Sequence, residues 1–343
     1  MTRYRLVFLG FGNVGQALAQ LLLRKRAELV SLYDLDFSVT GIATGRHGSA
    51  IDPDGLDLQA ALEIVQSGRS LESISKQPSV SGVEFIQACP GDVCFENTPV
   101  NYQSGEPAIS HLKAALQAGM QAITANKGPV VHAYRELTDL AAQMNRRFYF
   151  ESTVMDGAPI FSLFRGALPG AELRSFRGVL NSTTNLILTR METGAQFADA
   201  VAYAQQIGIA ETDPSGDVDG WDAAIKVAAL VTVLMGIPLL PGQVDRTGIG
   251  ALTLADIQAA KQANQRWKLV CSAERQDNQV VAQVKPELIP ASSPLYAVEG
   301  TSSIIEFKTD VLGPLSIVEA NPGPDTTAYG LFADFLNAVA ARS

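Results

Sequence analysis

Residues 10–15 read Gly-Phe-Gly-Asn-Val-Gly, a G-x-G-x-x-G spacing set between a short apolar run and a long helical stretch. That spacing restricts what can surround it. Gly10 permits a tight turn, Gly12 lets a pyrophosphate approach the backbone, and Gly15 lets helix and strand pack closely. The helix that follows opens with unpaired N–H groups that suit phosphate, so Asn13 and Val14 join the three glycines as expected cofactor contacts. A purely structural glycine turn has the same letters. The apolar strand at 5–9 and the helical pattern through about residue 26 favour the dinucleotide reading.

At 343 residues the chain is long for one domain. Its first half alternates apolar strands (5–9, 37–43, 92–96, 122–125, 147–151) with helical segments, the pattern of a parallel α/β sheet. After about residue 152 the order changes. Strands near 174–180, 267–273, 279–284 and 303–308 mix with helices at 183–193, 196–207, 219–235 and 254–264. The expected fold is therefore α/β. An N-terminal Rossmann dinucleotide-binding domain spans 1–150, a second, α+β domain spans 151–325, and a last helix at 326–341 packs back on the first. The polar, glycine-punctuated segment 45–82 supports no assignment.

Composition excludes several partners. A formal net charge of −9 repels nucleic-acid backbones. Cys89, Cys94 and Cys271 are odd in number and lack C-x-x-C spacing, which argues against disulfides or zinc and for a reducing cytoplasm. The start of the chain carries no signal-peptide pattern. The longest apolar run, 223–240, contains Lys226 and Pro238, so it reads as a buried helix rather than a membrane span.

In an NAD-type site an acid stands at the end of the second strand, about 20 residues beyond the glycines. Asp34 and Asp36 fall at that count but precede the strand, as surface-loop residues. The strand itself ends Ala-Thr-Gly-Arg-His at 43–47, without a carboxylate. Arg46 is read as the partner of a 2′-phosphate, so NADP is favoured and NAD remains open. A solvated loop arginine is the plain alternative.

The most informative stretch is 208–236, GIAETDPSGDVDGWDAAIKVAALVTVLMG. Its helix is apolar nearly all round, and a lysine there is costly unless its ammonium meets carboxylates. Asp222 lies four residues before Lys226 on the same face. Glu211 and Asp217 in the preceding loop can converge on that cavity. A helix cap made of Asp217, Asp219 and Asp222, with Lys226 as an i,i+4 partner, is the bland alternative. It fits Asp219 well but does not explain a buried lysine among four carboxylates.

The run 208–226 resembles the homoserine dehydrogenase signature G-x-x-E-x-D-P-x-x-D-x-x-G-x-D-x-x-x-K. Further blocks are similar in order and spacing: the glycine loop at 10–15, Thr98-Pro99, TANKGP at 124–129, E-x-T-V-x-x-G-x-P at 151–159, and GVLNSTTNLILTRME at 178–192. The resemblance implies interconversion of homoserine and aspartate 4-semialdehyde, a step toward threonine and methionine. It implies Lys226 as acid–base group, Asp222 as its assisting carboxylate, and Lys127 beside the nicotinamide. Glu211, Asp217 and Thr183 become substrate contacts, and Thr98 and Gly300 further cofactor contacts. The helix start at 182–185 would offer backbone N–H groups to the substrate carboxylate. A homodimer is implied, as is a monovalent cation such as sodium on carbonyls of Glu151, Val154, Asp156 and Ala158.

Departures are Ser182 in place of the usual glycine, Asp156 where many members carry a small residue, and only a loose likeness at 300–303. The chain ends near 343 without the regulatory domain of longer members, so no threonine inhibition is expected. A semialdehyde dehydrogenase would need a cysteine nucleophile, and neither Cys89 nor Cys94 sits in such a motif. A non-catalytic NADP sensor on the same scaffold would have no use for both Lys127 and Lys226. His47, His111 and His132 are scattered and suit surface or capping roles.

Overall fold

The structure, a computed structural model, describes residues 1–277 and 279–339. It divides into two compact units, Met1–Pro159 with the chain from Gly323 on, and Ile160–Pro322.

The first unit is built on β1 (Thr2–Leu9), β2 (Leu35–Ala43), β3 (Ser49–Leu56), β4 (Val93–Glu96), β5 (Gln121–Thr124) and β6 (Phe148–Tyr149). They form one sheet in the order β3-β2-β1-β4-β5-β6. The helices are α1 (Asn13–Tyr33), α2 (Leu58–Gln66), α3 (Gly82–Ala88), α4 (Ala108–Gln117), α5 (Lys127–His132) and α6 (Tyr134–Gln143). All neighbouring strands run parallel except β2 and β3. The order reverses at β1, which has β2 on one side and β4 on the other, so a ligand crevice is expected at that switch point beyond the strands' C-terminal ends. The C-terminal helix Pro324–Val339 packs on α1. Its Phe335 closes on Tyr4 and Phe95 edge to face. Residues 340 and 341, expected to end that helix, lie outside the described residues.

Two local expectations needed correction here. β2 begins at Leu35, so Asp36 is a strand residue rather than part of a surface loop. It is held by the Arg26 guanidinium at 2.9 Å. The strand expected at 147–151 is only Phe148–Tyr149, and Glu151 instead opens a short 3-10 turn.

The second unit carries β7 (Leu173–Val179), β8 (Asp245–Arg246), β9 (Gln265–Gln276), β10 (Gln279–Pro290), β11 (Ser303–Thr309) and β12 (Leu315–Glu319). Its sheet order is β12-β11-β7-β9-β10-β8, antiparallel except for the β8–β10 pair. The helices are α7 (Ser182–Glu192), α8 (Phe197–Gln206), α9 (Ser215–Val218), α10 (Trp221–Leu234) and α11 (Leu254–Gln262), with α7, α10 and α11 against the sheet. The single helix expected at 219–235 is therefore α10 alone. Gly220 at φ +81° breaks the chain between it and α9, a conformation that favours glycine.

Candidate active site

In the first unit the parallel strands β1, β4 and β5 end in register, Leu9 beside Glu96 and Glu96 beside Thr124. Gly10, Thr98 and Lys127 therefore follow from one edge of one sheet. Gly10 has φ +96°, and a Cβ there would lie 2.4 Å from the Asn97 carbonyl oxygen. A Cβ on Gly15 would lie 2.6 Å from the Gly10 carbonyl oxygen. Over Gly12 the space is open. Gly12 is also the N-cap of α1 and gives no side-chain cap bond, which leaves first-turn N–H groups, including those of Asn13 and Val14, for an anion. The residues present fit a dinucleotide pyrophosphate.

A buried carboxylate organises the rest of this edge. Glu96 is fully buried and accepts hydrogen bonds from the Thr98 N–H (3.1 Å), the Thr98 hydroxyl and the Thr124 hydroxyl (3.0 Å). Asn126 caps α5 by accepting the Gly128 N–H at 3.0 Å, and its amide donates to the Thr98 carbonyl at 3.1 Å. Lys127 is thus the first residue of a capped helix tied to the turn after β4. Asn97, missed in the sequence, has both polar side-chain atoms buried with no hydrogen-bond partner among the described residues. The only sequence signal was its place just before Thr98-Pro99.

Arg46 lies in the turn between β2 and β3, with its side chain exposed. The Gly10 N–H donates to the Ala43 carbonyl at 2.9 Å, so this turn shares the edge of the glycine loop. Asp34 and Asp36 are at the opposite end of β2, paired with the N-terminal ammonium and Arg26. Neither is placed to meet a ribose.

Glu151, Val154, Asp156 and Ala158 occupy one irregular turn under the C-terminal helix. The Asp156 carboxylate, at a residue with φ +39°, accepts the Thr327 hydroxyl at 2.5 Å, and the Glu151 N–H donates to Asp334 at 2.7 Å. Among the described residues no three His, Cys, Asp or Glu side chains cluster as metal ligands. A cation here would rest on backbone carbonyls.

In the second unit, β7 runs into Asn181, whose Oδ1 accepts the Thr184 N–H at 2.8 Å and starts α7. The Asn181 amide donates to Asp217 at 2.6 Å and to Asp222 at 3.0 Å. Lys226 Nζ stands 2.9 Å from Asp222 Oδ2 and donates to the Leu180 carbonyl at 2.7 Å. Lys226, Asp222, Asp217 and Thr183 are therefore one group, with Asn181, absent from the sequence-derived site, as its hub. Burial, then the neighbouring Asp222 charge, raises the Asp217 carboxyl above its ordinary range, against lowering by Asn181, Thr183 and Lys226.

The expected set of four carboxylates shrinks to two. Asp219 and Glu211 are exposed, and Glu211 makes no ion pair among the described residues. Its backbone carbonyl instead accepts from Gln205 at 3.2 Å. Of the four N–H groups expected for a substrate carboxylate, Thr184 and Asn185 spend theirs on Asn181. Those of Ser182 and Thr183 precede the first intrahelical bond. Gly300, at φ +59°, has its N–H on the Thr189 hydroxyl at 3.1 Å.

Residues 159–336 match the family described as homoserine dehydrogenase, and residues 10–151 match the homoserine dehydrogenase NAD binding domain. The chain belongs to the homoserine dehydrogenase family. It is an NAD(P)-dependent oxidoreductase acting on a CH–OH group, as the sequence resemblance implied. It is 34% identical over 339 residues to the NAD(+)-dependent homoserine dehydrogenase of Pseudomonas canavaninivorans, covering 98% of this chain and 96% of that one. To the homoserine dehydrogenase of Methanocaldococcus jannaschii it is 35% identical over 334 residues, 97% of each. A hyperthermophilic archaeal homoserine dehydrogenase mutant solved with NADPH superposes with a TM-score of 0.82 at 30% identity, over 98% of both chains.

The semialdehyde dehydrogenase alternative fares poorly in this dehydrogenase. All three cysteines are free and buried, and burial pushes the Cys89 and Cys271 thiols up to about 12 and Cys94 upward as well. None of them is a ready thiolate. Among the described residues no helix is long and apolar enough to cross a membrane.

Proposed function

We propose that this homoserine dehydrogenase interconverts L-homoserine and L-aspartate 4-semialdehyde, with Lys226 moving the hydroxyl proton. The observation that carries the reading is the double anchorage of Lys226 Nζ on Asp222 and the Leu180 carbonyl. A neutral amine held by two N–H bonds has its remaining tetrahedral direction, the lone pair, for the substrate hydroxyl. The bound nicotinamide cofactor supplies the hydride acceptor. As hydride leaves carbon, Lys226 takes the hydroxyl proton and Asp222 stabilises the ammonium that forms. In reduction Lys226 returns that proton to the aldehyde oxygen. Asp217 and the Thr183 hydroxyl orient the substrate, the N–H groups of Ser182 and Thr183 take its carboxylate, and the exposed Glu211 takes its ammonium.

NADP is the preferred cofactor in this proposal. Arg46 holds the 2′-phosphate, Lys127 stands by the nicotinamide, and Thr98, Asn97 and Gly300 complete the contacts. The carbonyls of Glu151, Val154, Asp156 and Ala158 hold a monovalent cation such as sodium. The chain works as a cytoplasmic homodimer in the biosynthesis of threonine and methionine. The pairing would use the face of the second sheet on which Lys308, Ser175 and Glu274 lie side by side, as do Glu306, Arg177 and Ser272. The activity is tested by following NAD(P)H absorbance with homoserine in one direction and aspartate semialdehyde in the other. Turnover of other amino alcohols at equal kcat/KM would count against it.

A further inference from the structure

Lys268 has no place in the mechanism above, yet it is one of the largest fully buried side chains. A buried ammonium is costly, and a methionine of similar length would fill the same space at lower cost. Its surroundings account for it. Nζ donates to the Asn185 Oδ1 at 2.7 Å and to the Val298 carbonyl at 2.6 Å. Asn185 in turn donates its amide to the Ser302 carbonyl at 3.1 Å. Between them, the Gly300 N–H donates to the Thr189 hydroxyl, which donates to the Asn185 carbonyl at 2.7 Å.

Segment 298–302 is thereby fastened to α7 at three backbone points. Two of the three run through Lys268 or its partner Asn185. The Val298 side chain is packed with Val270 and Ile304, so the tether acts on the polar backbone of a segment whose side chain is already fixed. Hydrophobic packing sets the depth of the segment. The hydrogen bonds fix its register along α7, and the Glu299 carboxylate is held besides by the Arg266 guanidinium at 2.5 Å. One turn before Asn185, the N-cap of α7 is Asn181, the hub for Asp217 and Asp222.

We infer that Lys268 is a positioning residue of the dehydrogenase reaction, an ammonium clamp that fixes segment 298–302 at one register on α7. The spacing between Gly300 and the α7 start is then constant from turnover to turnover. This rests on the proposed contacts of the α7 start with substrate and of Gly300 with cofactor. A misplacement of about 1 Å remote from the reacting atoms can cost two orders of magnitude in rate.

The test uses the full chain carrying Lys268→Met, with Asn185→Asp as a second variant. The second keeps shape and the bond to Lys268 but replaces the donor to Ser302 with an acceptor. Melting temperature, hydrogen exchange of amides 298–302, and kcat with both KM values are measured. Lys268→Met is expected to melt at or above the wild-type temperature, exchange faster at 298–302, and lose roughly tenfold or more in kcat. Asn185→Asp is expected to shift exchange and kcat in the same direction. A folded variant of either kind with kcat and both KM values within twofold of wild type overturns the clamp, whatever its exchange rate. Lys226→Met run alongside separates the two readings, because normal turnover in that variant removes the site proposal and not the tether.

Discussion

Lys226 Nζ sits 2.9 Å from Asp222 Oδ2, one helical turn away on the same helix, and a second bond ties it to the carbonyl of Leu180, the residue before the α7 N-cap. That arrangement makes the lysine the most testable residue of the site. Lys226→Met is expected to lower kcat by roughly two to four orders of magnitude, the range for general acid–base catalysis. Cofactor affinity and melting temperature should hold, since methionine suits an apolar helix. A helix-capping role would instead shift the melting temperature and leave turnover per folded molecule near normal.

Asp217 gives a second prediction, in stability. Its carboxyl is raised above 3.8, chiefly by burial and then by Asp222. The folded state thus holds this proton more tightly than the unfolded chain, and stability falls as pH rises from the ordinary value through the raised one. Asp217→Asn, which can still accept from Asn181, should melt higher than wild type at pH 7. The gain should vanish at pH values below the ordinary carboxylate range. Homoserine KM should rise in the same variant. A lower melting temperature at pH 7 would mean the carboxylate is a stabilising partner rather than a cost.

How far the sequence was legible depended on whether a signal was local. The glycine loop was readable because turn, phosphate approach and helix packing all act within six residues. The β3 strand was hidden because Asp52-Pro53-Asp54-Gly55 reads as a turn. In the structure those residues bulge out between the Ile51–Gly41 and Leu56–Val39 pairs. β12 escaped because it is an edge strand whose residue types do not follow its alternating burial, with Val318 exposed and Glu319 half-buried. The break at Gly220 was invisible among the aspartates around it. Asn181 could not be recognised as a hub, since its partners lie 36 and 41 residues away. Glu211 is exposed in the loop before α9, whereas Asp217 and Asp222 share the Asn181 amide.

Cofactor choice gives a third prediction. Arg46 is exposed in the turn at the C-terminal end of β2, and residues 43–48 themselves include no carboxylate to hold a ribose diol. The relatives differ here, one named NAD(+)-dependent and one solved with NADPH. Arg46→Ala should weaken NADP binding by about tenfold, the scale of one charge-assisted contact to a phosphate, and leave NAD nearly unchanged. Equal losses for both cofactors, read by fluorescence titration, would take Arg46 out of the 2′-phosphate site.

The last prediction concerns the pH dependence of stability at Lys268. Burial is the largest influence on its ammonium and lowers it from 10.5 to about 8. The Glu192 and Glu299 charges oppose that lowering and the Arg266 charge adds to it. Glu192 is itself half-committed to Arg266 at 3.5 Å, so it compensates Lys268 only in part. The sign follows from which state loses its proton first. Between about pH 8 and 10.5 the folded state has released the Lys268 proton while the unfolded chain still holds it. The unfolded state then binds more protons, so this residue's contribution to stability rises with pH across that window and is flat below it. Lysines and tyrosines elsewhere titrate over the same range, so the wild-type curve alone decides nothing. The difference between wild type and Lys268→Met isolates the one group. That difference should move in favour of wild type from pH 8 to 10.5, by about 3 kcal/mol given 1.36 kcal/mol per pKa unit. Urea unfolding of both proteins at several pH values reads it directly. A constant gap across the window would mean that Lys268 keeps an ordinary ammonium in the folded protein, despite its burial.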